Sequence, residues 1–264
     1  MTLAFTRRGS GAPLVLLHGI GSARQAWDPV LDRLAERFDV IAVDLPGHGE
    51  SPLLPSDVEP RPDAIAAAVA AFLDSQGVTT PHVAGNSLGG WVALELAAIR
   101  PVRSLTLLSP AGLWHNGTPL YNRISLRTTR WLAKHLTAPA CRLVRYRAGR
   151  VLILGQTHGR PSRISATYAR NAVLAMANAP GFDATMKATE PSRYRAGPSI
   201  DAPVTVSFGS RDRLLLPRQS RHLEQLPEGT HLEELPEGGH VPMADKPDAV
   251  TRLIIATTER AAHA

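Results

Sequence analysis

Short apolar runs recur along the chain, and each is typical of a buried β-strand. The runs begin near Leu14, Val40, Val83, Leu105, Val204 and Leu232. Between most of them the apolar residues return at helical spacing, as at residues 27–37, 64–76 and 88–99. Strands that alternate with helices predict a mostly parallel sheet covered by helices on both faces, because each parallel connection has to cross over the sheet.

The alternation stops after residues 109–112, which read Ser-Pro-Ala-Gly. From Trp114 to about Ala196 the pattern is mainly helical with Gly and Pro breaks, and the strand pattern resumes only at Pro203. The sequence therefore predicts an α/β core in two parts, residues 1–112 and 198–264. A helical cap at residues 113–197 is predicted to be inserted after the sixth strand.

Composition sets the broad class of protein. The chain has 264 residues, of which 44% are hydrophobic, and this is enough for a sizeable core. Cys141 is the only cysteine, which excludes an internal disulfide and a cysteine-based metal site. No apolar segment has the length of a signal-peptide core or the ~20 residues of a membrane span. We expect a cytoplasmic protein.

The formal net charge of +6 is distributed unevenly. Residues 114–196 carry fourteen Lys and Arg against two acidic residues, a balance of +12, while the rest of the chain carries −6. Arg123, Arg127, Arg130 and Lys134 are spaced to share one helix face. We interpret this as a solvated basic face, in preference to contact with an anionic membrane surface or the steering of an acidic substrate toward the pocket. No nucleic-acid-binding motif accompanies the charge, and the sequence indicates no particular oligomeric state.

The strongest chemical signal lies where a strand passes into a helix. Residues 85–89 read Gly-Asn-Ser-Leu-Gly and join the apolar residues 81–84 to a helix that opens at Leu88. A serine on so tight a turn takes a strained backbone conformation, and glycines flank it because larger side chains would collide with the neighbouring chain. Such a nucleophile elbow holds the hydroxyl out for attack, so Ser87 is the predicted nucleophile.

Two further residues follow in an informative order. Asp212 follows one late strand, and His240 lies in a glycine-rich loop after the next. With serine, acid and histidine in this order, the chain resembles the α/β-hydrolase superfamily along nearly all of its length. Residues 18–21, His-Gly-Ile-Gly, and residues 44–51, Asp-Leu-Pro-Gly-His-Gly-Glu-Ser, are further matches. The resemblance implies an α/β-hydrolase fold.

Each member of this set has a chemical role. A serine hydroxyl is a weak nucleophile, so Ser87 needs His240 as a base, and the imidazole needs the Asp212 carboxylate to orient it and stabilise its charge. The oxyanion of the tetrahedral intermediate needs donors already in place. The backbone N–H of Leu88 supplies one donor, and the resemblance implies that the N–H of Ile20 supplies the second.

The remaining candidates concern the substrate pocket. Trp27 and Trp114 are the predicted substrate-binding side chains, whereas Trp91 is expected to pack in the core. His18 is expected to fix its own loop. The other histidines lack metal-ligand spacing and no phosphate-binding glycine loop is present, so we expect neither a metal nor another cofactor.

The type of hydrolase follows from the elbow and the histidine loop. A serine nucleophile disfavours the activities of relatives with an aspartate nucleophile, the haloalkane dehalogenases and epoxide hydrolases. Asn86 is similar to hydrolases that cleave carbon–carbon bonds in ring-fission products, but those usually have tryptophan after the histidine, where this chain has Val241. We predict a serine hydrolase for an ester or lactone of a small to medium apolar acid. A carbon–carbon bond hydrolase and a non-catalytic small-molecule-binding protein are the alternatives.

Overall fold

Seven strands form one sheet in the computed structural model, which describes residues 1–196 and 200–262. In chain order they are β1 (Phe5–Arg8), β2 (Ala12–Leu17), β3 (Phe38–Val43), β4 (His82–Asn86), β5 (Ser104–Leu108), β6 (Val204–Gly209) and β7 (His231–Leu235). Across the sheet the order is β1-β3-β2-β4-β5-β6-β7. Strand β1 runs antiparallel to β3, and the other neighbouring pairs are parallel. The predicted mostly parallel sheet is confirmed.

Helices connect the strands in three groups. The first group is α1 (Asp28–Ala35), α2 (Pro62–Ser75) and α3 (Leu88–Ile99). The second group, called the inserted helices below, is α4 (Leu120–His135), α5 (Thr137–Leu143), α6 (Arg147–Leu154), α7 (Ala166–Ala177) and α8 (Phe182–Thr189). The third group is α9 (Pro217–Ser220), α10 (Pro242–Asp245) and α11 (Pro247–Ala261). Short 3₁₀ turns lie at Arg24–Trp27, Pro161–Arg163 and Leu223–Gln225. Among the described residues, no helix is both long and apolar enough to cross a membrane.

Two apolar layers enclose the sheet, one on each face. Side chains of a strand point alternately to the two faces, so Val15 and Leu17 join the layer with α2 and α3, while Leu14 and Leu16 join the layer with α1 and α11. Strands β4 and β5 are buried along their whole length. This is expected for parallel strands with helices on both faces, and it explains why these strands show no alternation of apolar and charged residues in the sequence.

The inserted helices lie between β5 and β6 in the chain. They therefore follow the fifth strand, whereas the sequence predicted an insertion after the sixth. Only five strands precede the insertion in the described chain, and one of them is the short edge strand β1. The predicted division into residues 1–112, 113–197 and 198–264 stays a prediction. Its second boundary, between residues 197 and 198, lies outside the described residues.

Candidate active site

The loops that carry the predicted residues emerge at one edge of the sheet. Parallel strands end at the same edge, so the loops after β2, β4, β6 and β7 meet there. These loops carry Ile20, Ser87, Asp212 and His240, in that order. The topology alone thus brings together residues that are separated by up to 220 positions in sequence.

Ser87 has the strained conformation expected at an elbow. Its φ is +55°, a region that residues other than glycine rarely adopt. A Cβ added to Gly85 would lie 2.3 Å from the carbonyl oxygen of Gly89, and one added to Gly89 would lie 2.2 Å from that of Leu17. The two glycines are therefore required by close backbone approach. Within the described chain, the Ser87 hydroxyl does not cap its own helix, which leaves it free to react.

Hydrogen bonds from the neighbouring strand hold this turn in place. The N–H of Ser87 donates to the carbonyl of Leu108 at 3.0 Å, and the N–H of Ala111 donates to the carbonyl of Ser87 at 2.9 Å. On the opposite side, a Cβ added to Gly19 would lie 3.1 Å from the Cβ of Ser87. The loop that contains Gly19 and Ile20 therefore passes directly against the serine, and glycine at position 19 permits that approach.

Asp212 and His240 form a buried pair. The Nδ1 of His240 lies 3.0 Å from Oδ2 of Asp212. The other carboxylate oxygen, Oδ1, accepts from the N–H groups of Leu214 at 2.9 Å and Leu215 at 2.8 Å. Both side chains are almost fully removed from solvent. The backbone amides orient the carboxylate, and the carboxylate in turn orients the imidazole with Nδ1 occupied and Nε2 left for chemistry.

The environment keeps Asp212 ionised. Burial alone would raise the pKa of its carboxyl group, but the charge and hydrogen bond of His240 and the two backbone N–H donors act together in the other direction. The net result is a pKa below the usual value. A carboxylate that stays charged can stabilise the imidazolium that forms when His240 takes a proton.

Two backbone N–H groups near Ser87 have no partner in the described chain. Leu88 is the first residue of α3, where an N–H group has no intrahelical acceptor and the helix dipole favours negative charge. Ile20 follows Gly19, which borders Ser87, and its N–H donates to no described residue. The arrangement leaves two N–H donors near Ser87 that are available to an oxyanion. Their assignment stays a prediction.

His18 and Asp44 support the loops around the site. The Nδ1 of His18 lies 2.8 Å from the carbonyl of Gly19, and its Nε2 accepts from the N–H of Leu45 at 3.0 Å. Burial lowers the pKa of this imidazole, more than the nearby Asp44 carboxylate raises it. His18 is thus a neutral link between two loops, in line with the expected structural role. Asp44 accepts from the N–H of Glu50 at 2.9 Å and so closes its own glycine-rich turn.

Asn86 has a structural task that sequence reasoning missed. Its Nδ2 donates to the carbonyl of Leu108 at 2.9 Å and to the carbonyl of His240 at 2.8 Å. The side chain therefore ties the elbow to the histidine loop. The motif contained this residue, but no local signal reveals a contact with a loop 154 positions away.

A second missed residue is Asp245, which is buried below the histidine loop. Its Oδ2 accepts from the N–H groups of Gly239 at 2.9 Å and Gly159 at 2.6 Å, and its Oδ1 accepts from that of Arg160 at 2.9 Å. The N–H of Val241 also donates to the carbonyl of Thr157 at 2.9 Å. These bonds dock the segment after α6 onto the loop that carries His240.

A cavity of about 520 Å³ reaches both Ser87 and His240. Much of its lining consists of apolar side chains on or between the inserted helices, among them Leu126, Leu132, Leu136, Leu143, Val173 and Met176. A second cavity of about 30 Å³ meets Ser87 beside Leu88 and Trp114. The serine therefore lies between a large apolar space and a small one.

The tryptophans occupy different positions from one another. Trp114 lines the small cavity, and its Nε1 donates to the carbonyl of Ser192 at 2.6 Å. Trp91 packs edge-on against it, with ring centroids 5.6 Å apart. Trp27 is fully buried in the apolar layer with α1 and α11, and it lines neither cavity. The expected contact of Trp27 with substrate is therefore corrected, because its side chain packs in the core.

His158 is a further polar residue in the large cavity. Its Nδ1 lies 2.9 Å from the hydroxyl of Thr157, while its Nε2 is buried without a partner in the described residues. Burial lowers its pKa to about 4, aided by His240 and opposed by Asp245, so the ring is neutral near pH 7. The sequence marked His158 only as lacking metal-ligand spacing.

One group of side chains outside both cavities has the donors of a metal site. His115, His222 and Glu224 place ligand atoms within 4.8 Å of one another. The group is open to solvent on the surface, and none of its members lines a cavity that contains Ser87. It therefore has no part in chemistry at the serine.

The fold and the site together define a hydrolase of the α/β class. The sequence profile described as "Alpha/beta hydrolase family" matches residues 14–253. The chain belongs to this family, and the resemblance drawn from the sequence is confirmed.

Curated relatives match parts of the chain. The dihydrolipoyllysine-residue acetyltransferase component of the acetoin cleaving system of Cupriavidus necator is 43% identical over 112 residues, 41% of this chain and 29% of the relative. The pimeloyl-(acyl-carrier protein) methyl ester esterase of Neisseria meningitidis is 32% identical over 231 residues, 81% of this chain and 66% of the relative. The chain thus spans under a third of the first relative and just under two thirds of the second.

A solved structure matches nearly the whole chain. A thermophilic esterase from Thermogutta terrifontis has a TM-score of 0.77 at 21% identity, over 98% of this chain and 93% of the esterase. At this identity the likeness shows the fold alone.

Proposed function

We propose that this chain is a serine hydrolase that cleaves a carboxylic ester or lactone through an acyl-enzyme on Ser87. One observation carries the proposal. The His240–Asp212 pair, joined at 3.0 Å, and the strained Ser87 lie at the same apolar cavity. This is the set of groups needed to activate a hydroxyl and to exclude bulk water from it.

In the first half of the reaction, Ser87 Oγ attacks the carbonyl carbon while His240 Nε2 takes the hydroxyl proton. Asp212 stabilises the resulting imidazolium. The N–H groups of Ile20 and Leu88 donate to the oxyanion, and each such donor contributes about 3 kcal/mol to transition-state stabilisation. When the tetrahedral intermediate collapses, the carbon–oxygen bond of the ester breaks and His240 returns the proton to the departing alkoxide.

In the second half, water takes the place of the alcohol. His240 removes a proton from this water, the hydroxide attacks the acyl carbon, and the same N–H groups stabilise the second oxyanion. Collapse breaks the bond to Ser87 Oγ, which recovers its proton from His240. The products are a carboxylic acid and the free enzyme, and no cofactor enters the balance.

The cavity supports an ester with one large apolar group. A space of about 520 Å³ with a mainly apolar lining suits a hydrocarbon chain or ring, and the cavity of about 30 Å³ suits a small substituent. The Neisseria meningitidis relative carries the name of a methyl ester esterase, which favours ester hydrolysis with the same asymmetry of a large and a small group.

Carbon–carbon cleavage has less support from the geometry. Asn86 suggested that activity, but its side-chain nitrogen donates to the carbonyls of Leu108 and His240. This structural task accounts for asparagine at position 86 without any special substrate. Val241, where the carbon–carbon hydrolases usually have tryptophan, lines the large cavity and adds to its apolar character.

Labelling with a fluorophosphonate tests the proposal. Mass spectrometry should find one adduct on Ser87 in the folded protein and none in Ser87→Ala. Ser22→Ala is the matched control, because Ser22 lines the same cavity outside the elbow and its loss should leave labelling intact. The labelled and unlabelled proteins are then compared on p-nitrophenyl esters of graded chain length, on lactones and on a vinylogous diketone. Turnover of the diketone alone would favour carbon–carbon cleavage, and a folded protein without an adduct would favour a binding protein.

A further inference from the structure

The mouth of the large cavity opens on an apolar surface. Four leucines both line the cavity and are exposed to solvent: Leu132 at 43%, Leu136 at 45%, Leu143 at 44% and Leu152 at 77%. Leu132, Leu143 and Leu152 lie in α4, α5 and α6, and Leu136 lies between α4 and α5, so three helices contribute to the rim. The apolar lining therefore continues out of the cavity onto the protein surface, where water would otherwise have to cover it.

More apolar side chains extend this rim. Trp131 is 57% exposed and Tyr146 is 69% exposed, and both lie on or between the same helices. Ten of the fifteen large exposed apolar side chains of the described chain lie between Leu120 and Leu152. Single exposed apolar residues are normal, but a concentration of this kind marks an interaction surface.

A basic groove lies beside the rim. Arg142 and Arg145 share a surface groove with Arg170 of α7, and all three side chains are exposed. None of them pairs with an acid in the described residues. The chain also contains no acidic residue between Glu95 and Asp183, so the segments that line the groove carry no acid of their own. Arg142 is adjacent to the rim residue Leu143, so α5 carries both apolar and basic character.

The basic face expected from the sequence is only partly available. Arg130 is buried and donates to the carbonyl groups of Met176 and Ala179. Arg123 and Arg127 pair with Glu190 at 3.0 Å and 2.5 Å. On α4, Lys134 therefore remains as an exposed charge without an acidic partner in the described chain, and the groove arginines add charge next to the cavity mouth.

We propose that this docking face, formed by Trp131, the four rim leucines, Tyr146 and the arginine groove, binds the surface of an anionic lipid bilayer. Apolar side chains beside unpaired arginines match a surface whose interior is apolar and whose headgroups are negative. Aromatic residues such as Trp131 and Tyr146 favour the boundary between the two. Docking would place the cavity mouth against the acyl region, so that an apolar substrate reaches Ser87 without crossing water.

The charge also argues against the most obvious other occupant. A second copy of the chain would place one arginine groove against another, or against a segment that carries a balance of +12. Repulsion between like charges would then oppose self-association, whereas the same positive charges attract the headgroups of an anionic bilayer. Docking does not require catalysis, so it can be tested independently of the proposed function.

Trp131 provides a direct spectroscopic readout. The other three tryptophans are buried, Trp27 at 0%, Trp91 at 2% and Trp114 at 6% exposure, and all four lie in the described chain. Vesicles of phosphatidylcholine with 30% phosphatidylglycerol should shift the emission to shorter wavelength and protect it from iodide. Trp131→Phe should abolish the shift but retain co-sedimentation. Vesicles of phosphatidylcholine alone should give little of either signal.

Matched charge variants complete the test. Replacing Arg142, Arg145 and Arg170 by Gln should weaken binding to the anionic vesicles about a hundredfold, since each basic residue near such a surface contributes roughly a factor of five to ten. The control replaces Arg103, Arg218 and Arg252 by Gln, which removes the same charge from exposed sites elsewhere and should leave binding nearly unchanged. Hydrolysis of a short water-soluble ester should be equal in both triple variants.

Three results would overturn the proposal. One is the absence of binding to anionic vesicles. Another is an equal loss of binding in the control variant, which would mean that total charge alone is responsible. The third is a dimer in sedimentation experiments in which Trp131 is shielded without lipid, because the face would then be a contact between copies.

Discussion

Among single residues, the three proposed catalytic side chains differ in what their loss removes. Ser87→Ala and His240→Ala each remove a group that forms or breaks a bond, so kcat for an ester should fall by about four to six orders of magnitude. Asp212→Asn keeps an oxygen for the N–H groups of Leu214 and Leu215. The fall in kcat for this variant should therefore be roughly ten- to a hundredfold smaller than for Ser87→Ala or His240→Ala. Turnover of a p-nitrophenyl ester and the melting temperature are measured together. More than a few per cent of activity in folded Ser87→Ala would remove Ser87 as the nucleophile.

Asn86 acts on the reaction through another residue. Its amide holds the carbonyl of His240, so Asn86→Ala should let the histidine loop shift relative to Ser87. A displacement of about 1 Å costs up to a hundredfold in rate, so kcat should fall ten- to a hundredfold while KM changes little. Asn86→Asp has nearly the same side-chain shape but lacks the N–H donors, so its kcat should fall equally. Asn116→Ala, at an exposed position, should keep the kcat of the unchanged protein. A change confined to KM would assign Asn86 to substrate binding instead.

Among the elements, the segment after α6 and the histidine loop form one unit through Asp245. Asp245→Asn can accept hydrogen bonds with only one of its side-chain oxygens, so at least one of the N–H groups of Gly159, Arg160 and Gly239 loses its partner. We expect a melting temperature lower by several degrees and a lower kcat. Asp248→Asn, at an exposed position in the next helix, is the control and should change neither quantity. Normal stability with normal kcat in Asp245→Asn would show that this contact does not position His240.

Six of the seven strands of the described sheet and the elbow could be predicted from the sequence because their signals are local, whereas the short edge strand β1 was missed. A buried parallel strand is rich in apolar residues, and the elbow needs glycines within two positions of Ser87, so both appear in a short window of residues. The contacts of Asn86 and Asp245 could not be predicted, since each joins residues that are distant in the chain. Trp27 was misplaced for the same reason. Its sequence position suggested the pocket, but the packing of α1 and α11 buried it in the core.

For the inserted helices, the sequence could not predict which charged side chains form the surface. Their charge balance was readable from composition, but composition does not distinguish the buried Arg130 from the exposed Arg142. Helical periodicity placed Arg130 and Lys134 on one face, and tertiary packing then covered the first of them. The surface that remains differs from the predicted one in position and in its apolar component.

Several histidines are buried as neutral groups, and this gives the whole molecule a pH dependence. Burial is the main cause in each case. It lowers the pKa from 6.5 to about 3 for His48, to about 4 for His82 and to about 4 for His158. The unfolded chain therefore binds more protons than the folded chain between these values and 6.5. Stability that is present above pH 6.5 should be lost progressively as the pH falls through this window.

Urea unfolding between pH 7.5 and 5 measures this loss. Each histidine that titrates only in the unfolded state changes the unfolding free energy by up to about 1.4 kcal/mol per pH unit, so the midpoint should fall steeply below pH 6.5. Asp28 and Glu95, whose pKa values are raised by burial, act in the opposite direction. The upper part of the window is therefore the most informative. His82→Gln removes one titrating group next to Ser104 and should flatten the slope, whereas the exposed His135→Gln should not. A midpoint that is constant from pH 7.5 to 5 would mean that these imidazoles are not held neutral by the fold.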